Sequence, residues 1–287
     1  MGCGYIGQRL ASRLSDQGHA VSCQYRSNET LQKLQDKQLQ TFMVDLTDNN
    51  LSLPELHNKA VFYFVPPPAS GVKDVYLQHF IEALKASEQV PWKIVYISTT
   101  GVYGDCEGRW IDENEPLKPD ADRAKRRLDA EKQLQQYSNE SGCQLVILRV
   151  AGIYGPGKLP LSRLEKQLPV VRPEESPFTN RIHADDLVSI CLAAMQKGEN
   201  GSIFNVSDGQ PGKMADYFTR VANKAGLPEP PLISLTEANE QLSAGMMSYM
   251  RESRRLDNRL LLTKLGIELA FPDLDKGLDN CFADHFI

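Results

Sequence analysis

Apolar and polar positions fall in alternating blocks along the first half of the chain. Five short runs, residues 20–25, 41–44, 60–65, 93–97 and 144–148, are rich in Val, Ile, Tyr and Phe. Their apolar character is continuous, which suits strands buried on both faces of a parallel sheet. Between them lie segments with helical spacing, at 5–17, 28–37, 72–87 and 121–141. In the first, Ile6, Leu10 and Leu14 recur at i, i+4 and i+8, and Gly18 follows as a stop signal. This alternation predicts an α/β fold, a doubly wound parallel sheet of the Rossmann type.

Beyond residue 150 the alternation weakens. Ala184–Lys197 and Met214–Ala225 read as helices and Ser202–Val206 as a strand. Residues 227–232 hold three prolines and read as a connector; 256–264 and Leu274–Phe282 read as closing helices. The expected division is a dinucleotide-binding domain at 1–155 and a smaller C-terminal lobe at 156–287. Residues around 180–206 would return to the sheet.

Composition narrows the class. The 287 residues are 41% hydrophobic and 24% charged, values that exclude a disordered chain. No apolar run approaches the ~18 residues that span a bilayer, and the glycine-punctuated start is no secretory signal. With 32 basic against 37 acidic side chains, the net charge of -5 argues against nucleic acid as a partner. Six scattered cysteines, Cys3, Cys23, Cys106, Cys143, Cys191 and Cys281, form no CxxC pair. They read as buried or idle thiols of a reducing cytoplasm, with no metal site.

Gly2-Cys3-Gly4-Tyr5-Ile6-Gly7 is a G-x-G-x-x-G at the head of an amphipathic helix. The first glycine permits the tight turn, the second lets a pyrophosphate approach the backbone, and the third lets helix and sheet pack closely. The helix offers free N–H groups to the phosphates. An NAD site usually carries an acid about twenty residues on, for the ribose 2′-hydroxyl. None lies between Asp16 and Glu29; Arg26 stands there instead and can hold a 2′-phosphate, or can simply be solvated. NADP is therefore the expected cofactor, with NAD as the alternative. The motif should follow a strand, yet only Met1 precedes Gly2. The missing burial would be worth roughly 6–12 kcal/mol. The expectation is a short apolar segment upstream of Met1, or else a chain that is poorly stable and has lost cofactor binding.

Three later stretches resemble the extended short-chain dehydrogenase/reductase superfamily, and within it the NAD-dependent epimerase/dehydratase family and its small bacterial YeeZ-like branch. They are Ser98-Thr99-Thr100-Gly101-Val102-Tyr103-Gly104-Asp105, Leu148-Arg149-Val150-Ala151-Gly152-Ile153-Tyr154-Gly155, and Asn180-Arg181-Ile182-His183-Ala184-Asp185-Asp186-Leu187. The resemblance implies that Asp45 and Leu46 lie near the adenine and that Val65 and Pro66 skirt the cofactor. Asp45 reads equally well as a turn carboxylate. The prolines at 66–68 cannot belong to a central strand, so they fall past a strand end, at the edge where ligands bind.

The resemblance also implies a catalytic Tyr and Lys one helical turn apart, with a Ser or Thr beside the substrate oxygen. Ser98, Thr99 and Thr100 supply the hydroxyl. The pair is replaced by Arg123 and Arg127, counting back from Glu131. Tyr154 and Lys158 share the spacing, but Gly155-Pro156-Gly157 between them cannot form a helical turn. Guanidinium does not release its proton near neutrality. The arginines would clamp an anionic substrate group or lie on a solvated helix face. Tyr103 would sit near the nicotinamide or pack beneath its loop, and His183 would face the substrate or brace a helix start. The expected protein acts on a hydroxyl or carbonyl of a small or nucleotide-linked molecule. The alternative is a catalytically silent cofactor-binding sensor or interaction protein.

Overall fold

The computed structural model describes residues 1–283. Strands Ser22–Tyr25 (β1), Gln40–Met43 (β2), Ala60–Tyr63 (β3), Lys93–Thr99 (β4), Gln144–Val150 (β5) and Ser202–Val206 (β6) pair in parallel. Four make one sheet in the order β6-β5-β4-β3, and β1 pairs with β2. Met1 lies between the two pieces. Its amino nitrogen donates to the Phe62 carbonyl at 2.9 Å, and its own carbonyl accepts from Phe64 N at 3.0 Å. On the other side Gly2 N donates to Gln24 Oε1, and Gln24 Nε2 donates to the Val44 carbonyl at 2.6 Å. One glutamine side chain thus joins the glycine turn to the β1–β2 pair.

Helices Tyr5–Asp16 (α1), Asn28–Gln35 (α2), Val75–Ala86 (α3), Asp122–Ser141 (α4), Ala184–Lys197 (α5) and Met214–Ala225 (α6) follow the periodic segments. Successive strand residues point to opposite faces. On β4, Val95 therefore packs with Ile6, Leu10 and Leu187 on the α1/α5 side. Its neighbours Ile94 and Tyr96 pack with Leu77, Phe80 and Leu134 on the α3/α4 side. Both faces are covered, which is why the strands read as continuous apolar runs.

The later part of the chain builds a small lobe around Tyr154, Leu164, Phe218 and Leu278. Two of its joins correct the sequence reading. Leu232–Ile233 pairs with Val170–Val171, so the proline connector ends in a short strand. Arg255–Leu256 pairs with Trp110–Ile111, which delays the following helix to Arg259–Leu265. That second pairing carries the returning chain alongside the loop after β4. Among the described residues, no helix is long and apolar enough to cross a membrane.

A lysine opens the central strand. Lys93 is buried, and its ammonium donates to the carbonyls of Met195 (3.0 Å) and Gly198 (2.8 Å) at the end of α5. It satisfies two carbonyls that a helix end leaves free and complements the negative end of the dipole. Lys93→Met keeps the stem and strands those carbonyls; we expect a loss of about 1–3 kcal/mol in urea unfolding. An unchanged midpoint would show that the contact contributes nothing net.

Candidate functional site

The carboxyl ends of the strands open onto a cleft of two joined compartments. The first, about 760 Å³, runs along the glycine turn, the end of β1 and the segment after β3. Gly2 has a φ of +81°, and a Cβ there would lie 2.5 Å from Val65 N. A Cβ on Gly7 would meet the Gly2 carbonyl at 2.5 Å, so neither position admits a side chain. At Gly4 a Cβ would meet nothing within 4 Å. It would project into open space at the N-terminus of α1, where a pyrophosphate needs bare backbone. These residues fit a dinucleotide.

Tyr5, Ile6, Arg26, Leu46, Val65 and Pro66 line the same compartment. Asp45 does not; its carboxylate accepts from Thr47 N (3.0 Å) and Oγ1 (2.9 Å), which holds its pKa below the usual carboxylate value. It shapes the turn, and Thr47 faces the cleft in its place.

The second compartment, about 580 Å³, is lined by the end of β4, one face of α4 and residues of the lobe. Arg123 and Arg127 both face it, so the solvated-face reading gives way. Arg127 donates to the Val65 carbonyl (3.2 Å) and to Tyr96 Oη (3.1 Å). Arg123 stacks on Tyr249 at 3.9 Å, donates to Ser248 and lies 3.7 Å from Glu252. Thr99 accepts from Gly101 N and caps the turn that follows β4.

Beneath that turn lies a buried polar row. Ser98, Arg149 and Asn205 stand in register on β4, β5 and β6. Ser98 donates to Glu131 of α4 at 2.5 Å, and Arg149 grips both Glu131 oxygens at 2.9 and 3.2 Å. Arg149 also donates to Tyr103 Oη, which in turn donates to Asn205 Oδ1 at 2.6 Å. Tyr103 is 1% exposed and outside the cleft lining, and burial pushes its pKa up to about 12. The expected place beside the nicotinamide is therefore corrected: Tyr103 braces the turn from below. Ser98 touches the compartment, with its proton already committed to Glu131.

His183 is corrected in the same way. It is fully buried, its Nδ1 accepts from Asp185 N at the start of α5, and its ring packs on Phe271 at 3.9 Å. Burial lowers its pKa, and the imidazole caps a helix instead of meeting a substrate.

Residues 2–207 match the NAD dependent epimerase/dehydratase family. The chain belongs to that family. It is 24% identical to Protein YeeZ of Escherichia coli over 95% of each chain. A functionally unknown conserved protein from Silicibacter pomeroyi matches at TM-score 0.85 and 30% identity, over 99% of this chain and 96% of that one. A UDP-glucose 4-epimerase from Thermotoga maritima, solved with UDP-glucose, shares the fold at TM-score 0.77 and 20% identity, over 100% and 98% of the two chains.

Within this epimerase/dehydratase cleft, the sequence reading set Lys158 aside and gave no place to Tyr249, Glu252 or Arg254. Lys158 lines both compartments, as do Arg127, Pro67, Ile97 and Ile153. Its signal was present, because a Gly-Pro-Gly-Lys turn follows Gly152–Tyr154 at the ligand-bearing edge. Tyr249 and Glu252 arrive on the lobe, and no local pattern announces them; Arg254 sits in Ser253-Arg254-Arg255, a stretch that resembles the family but names no role for it.

The polar row predicts an asymmetry. Glu131→Ala leaves Arg149 charged, buried and unpaired, a loss of about 3–5 kcal/mol. Replacing both partners by Leu and Met should cost distinctly less in the same urea titration. Equal losses would show that the pair is not one unit.

Proposed function

We propose that the chain binds NADP(H) in the first compartment and acts in the second on a hydroxyl or carbonyl of a small or nucleotide-linked substrate bearing an anionic group. The observation that carries this reading is the charge of the walls. Arg26, Arg127 and Lys158 line the first compartment, and no Asp or Glu does so among the described residues. A ribose 2′-hydroxyl would find no acid there, whereas a 2′-phosphate would find Arg26 beside the Thr30 hydroxyl. The glycine turn would take the pyrophosphate, with Leu46 and Thr47 toward the adenine.

The second compartment sets Arg123, Arg127, Lys158, Arg181 and Arg254 against Glu252. Glu252 is spent on Arg254 (2.8 Å) and leans on Arg123, so positive charge remains to hold a phosphate or carboxylate. Bound in the first compartment, the nicotinamide would supply hydride exchange with the substrate carbon. Thr99 would position the substrate oxygen. Tyr249 brings the phenol that lines this compartment, and the helix Ala244–Met250 of the lobe carries it. A second reading, cofactor binding without turnover, is favoured by one feature. The cleft face of α4 presents arginines, which neither give nor take a proton.

Calorimetric titration should show NADPH binding more tightly than NADH. Loss of a charge-assisted contact is worth about 1.5–3 kcal/mol, so Arg26→Ala should weaken NADPH about 10- to 100-fold and leave NADH unchanged. NADH binding tenfold tighter than NADPH would reverse the assignment. Absorbance of the reduced cofactor, followed against phosphorylated and carboxylated hydroxy and keto compounds, separates the enzyme from the silent binder. In the enzyme, Tyr249→Phe should lower turnover while cofactor affinity holds.

A further inference from the structure

The lobe has a cavity of its own, about 290 Å³, beside the cleft. Its walls are the loop after β6, the antiparallel pair Phe178–Thr179 and Gly212–Lys213, the first turns of α6, and the start of the closing helix at Asp273. Two opposite charges line this space without a counter-ion. Arg181 stacks on the Tyr217 ring at 3.5 Å, and its side chain donates to the neutral Thr179 hydroxyl at 3.3 Å. Asp208 is 6% exposed, and its Oδ1 accepts from Gln210 N at 2.9 Å. Neither has an ion-pair partner among the described residues. Burial lowers the pKa of Arg181 and raises that of Asp208 to about 7, each toward its neutral form.

Other charges on the wall are already engaged. Lys213 donates to the Ser176 carbonyl at 2.8 Å, and Arg220 pairs with Asp275 at 2.9 Å. The Asp273 carboxylate accepts from Lys276 N at 2.9 Å. A charge taken out of water is costly unless it is paired, so the cavity lacks one group of each sign. A guanidinium fork matches a carboxylate, and a carboxylate accepts from an ammonium. Arg181 and Asp208 do not reach each other, yet they share a space at the small end of the ~300–1,000 Å³ range of ligand sites.

We propose that this cavity is a second ligand site that takes a small zwitterion of the α-amino acid class, its carboxylate on Arg181 and its ammonium on Asp208. Arg181 also lines the second compartment of the cleft. A carboxylate held from the lobe side would leave less of its charge for the anion proposed there. That consequence, unlike the site itself, rests on the proposed function.

The full chain is titrated calorimetrically with each of the common amino acids. We expect at least one to saturate with a Kd of about 1 mM or below, and its deaminated acid and decarboxylated amine to bind at least about tenfold more weakly. Asp208→Asn should weaken that amino acid about tenfold or more. Gly212→Leu keeps both charges. A Cβ there meets nothing within 4 Å, so the added side chain can enter the cavity without a clash, and binding should be lost. Circular dichroism melts check that each variant is folded. No saturation by any amino acid up to about 10 mM, equal binding by a singly charged counterpart, or affinity that survives in a folded variant would overturn the proposal. The two readings fail separately: an amino acid that binds without raising KM for an anionic substrate upholds the lobe site and takes Arg181 out of the substrate wall.

Discussion

The Glu131–Arg149 ion pair holds the cleft together. It ties α4 to the middle of the sheet at the level where β4, β5 and β6 end, and both residues are almost wholly buried. Two charges out of water are costly unless every remaining lone pair and proton is used. Ser98, Tyr103 and the Glu113 carbonyl meet that demand, Asn205 accepts from Tyr103 in turn, and each belongs to a different part of the cleft floor. The turn after β4 therefore has little freedom to move without breaking several bonds at once. A hydroxyl such as that of Thr99 is held on a rigid support, and Arg123 and Arg127 are fixed by the same helix that supplies Glu131.

The same helix departs furthest from the family's usual chemistry. A Tyr–Lys pair trades protons, whereas two guanidiniums present permanent charge and directional donors. In the proposed reading, the change would make the α4 wall a holder of anions in place of a proton relay. Lobe residues extend that surface, since Arg181 and Arg254 arrive from chain segments far from α4.

Much of the fold was legible because its signals are local. The strands of the main sheet are apolar on both faces, and α5, β6 and α6 were placed to the residue. The two-residue strands Trp110–Ile111 and Arg255–Leu256 were not, since each exists only through the other, about 145 residues away in the chain. The glycine turn, Arg26 and Pro66 could be placed on the cleft from spacing and the strand end, and Leu46 and Val65 from the family resemblance. Asp45, Tyr103 and His183 could not be separated from structural residues. A carboxylate in an Asx turn, a phenol in a buried network and an imidazole at a helix start look the same in sequence as groups that face a ligand. Tyr249 and Glu252 left no sequence signal, because the lobe's packing alone brings them to the cleft.

Arg127 and Lys158 stand on the boundary, each lining both compartments. Two anions occupying the cleft would have to share their counter-charge. Whichever arrives first spends part of the attraction available to the second, and linkage makes that penalty reciprocal. With the occupants proposed above, the cleft would carry a built-in antagonism between them, which contacts elsewhere must outweigh before both can reside together. Charge at that border would then weigh on the order in which the two halves fill.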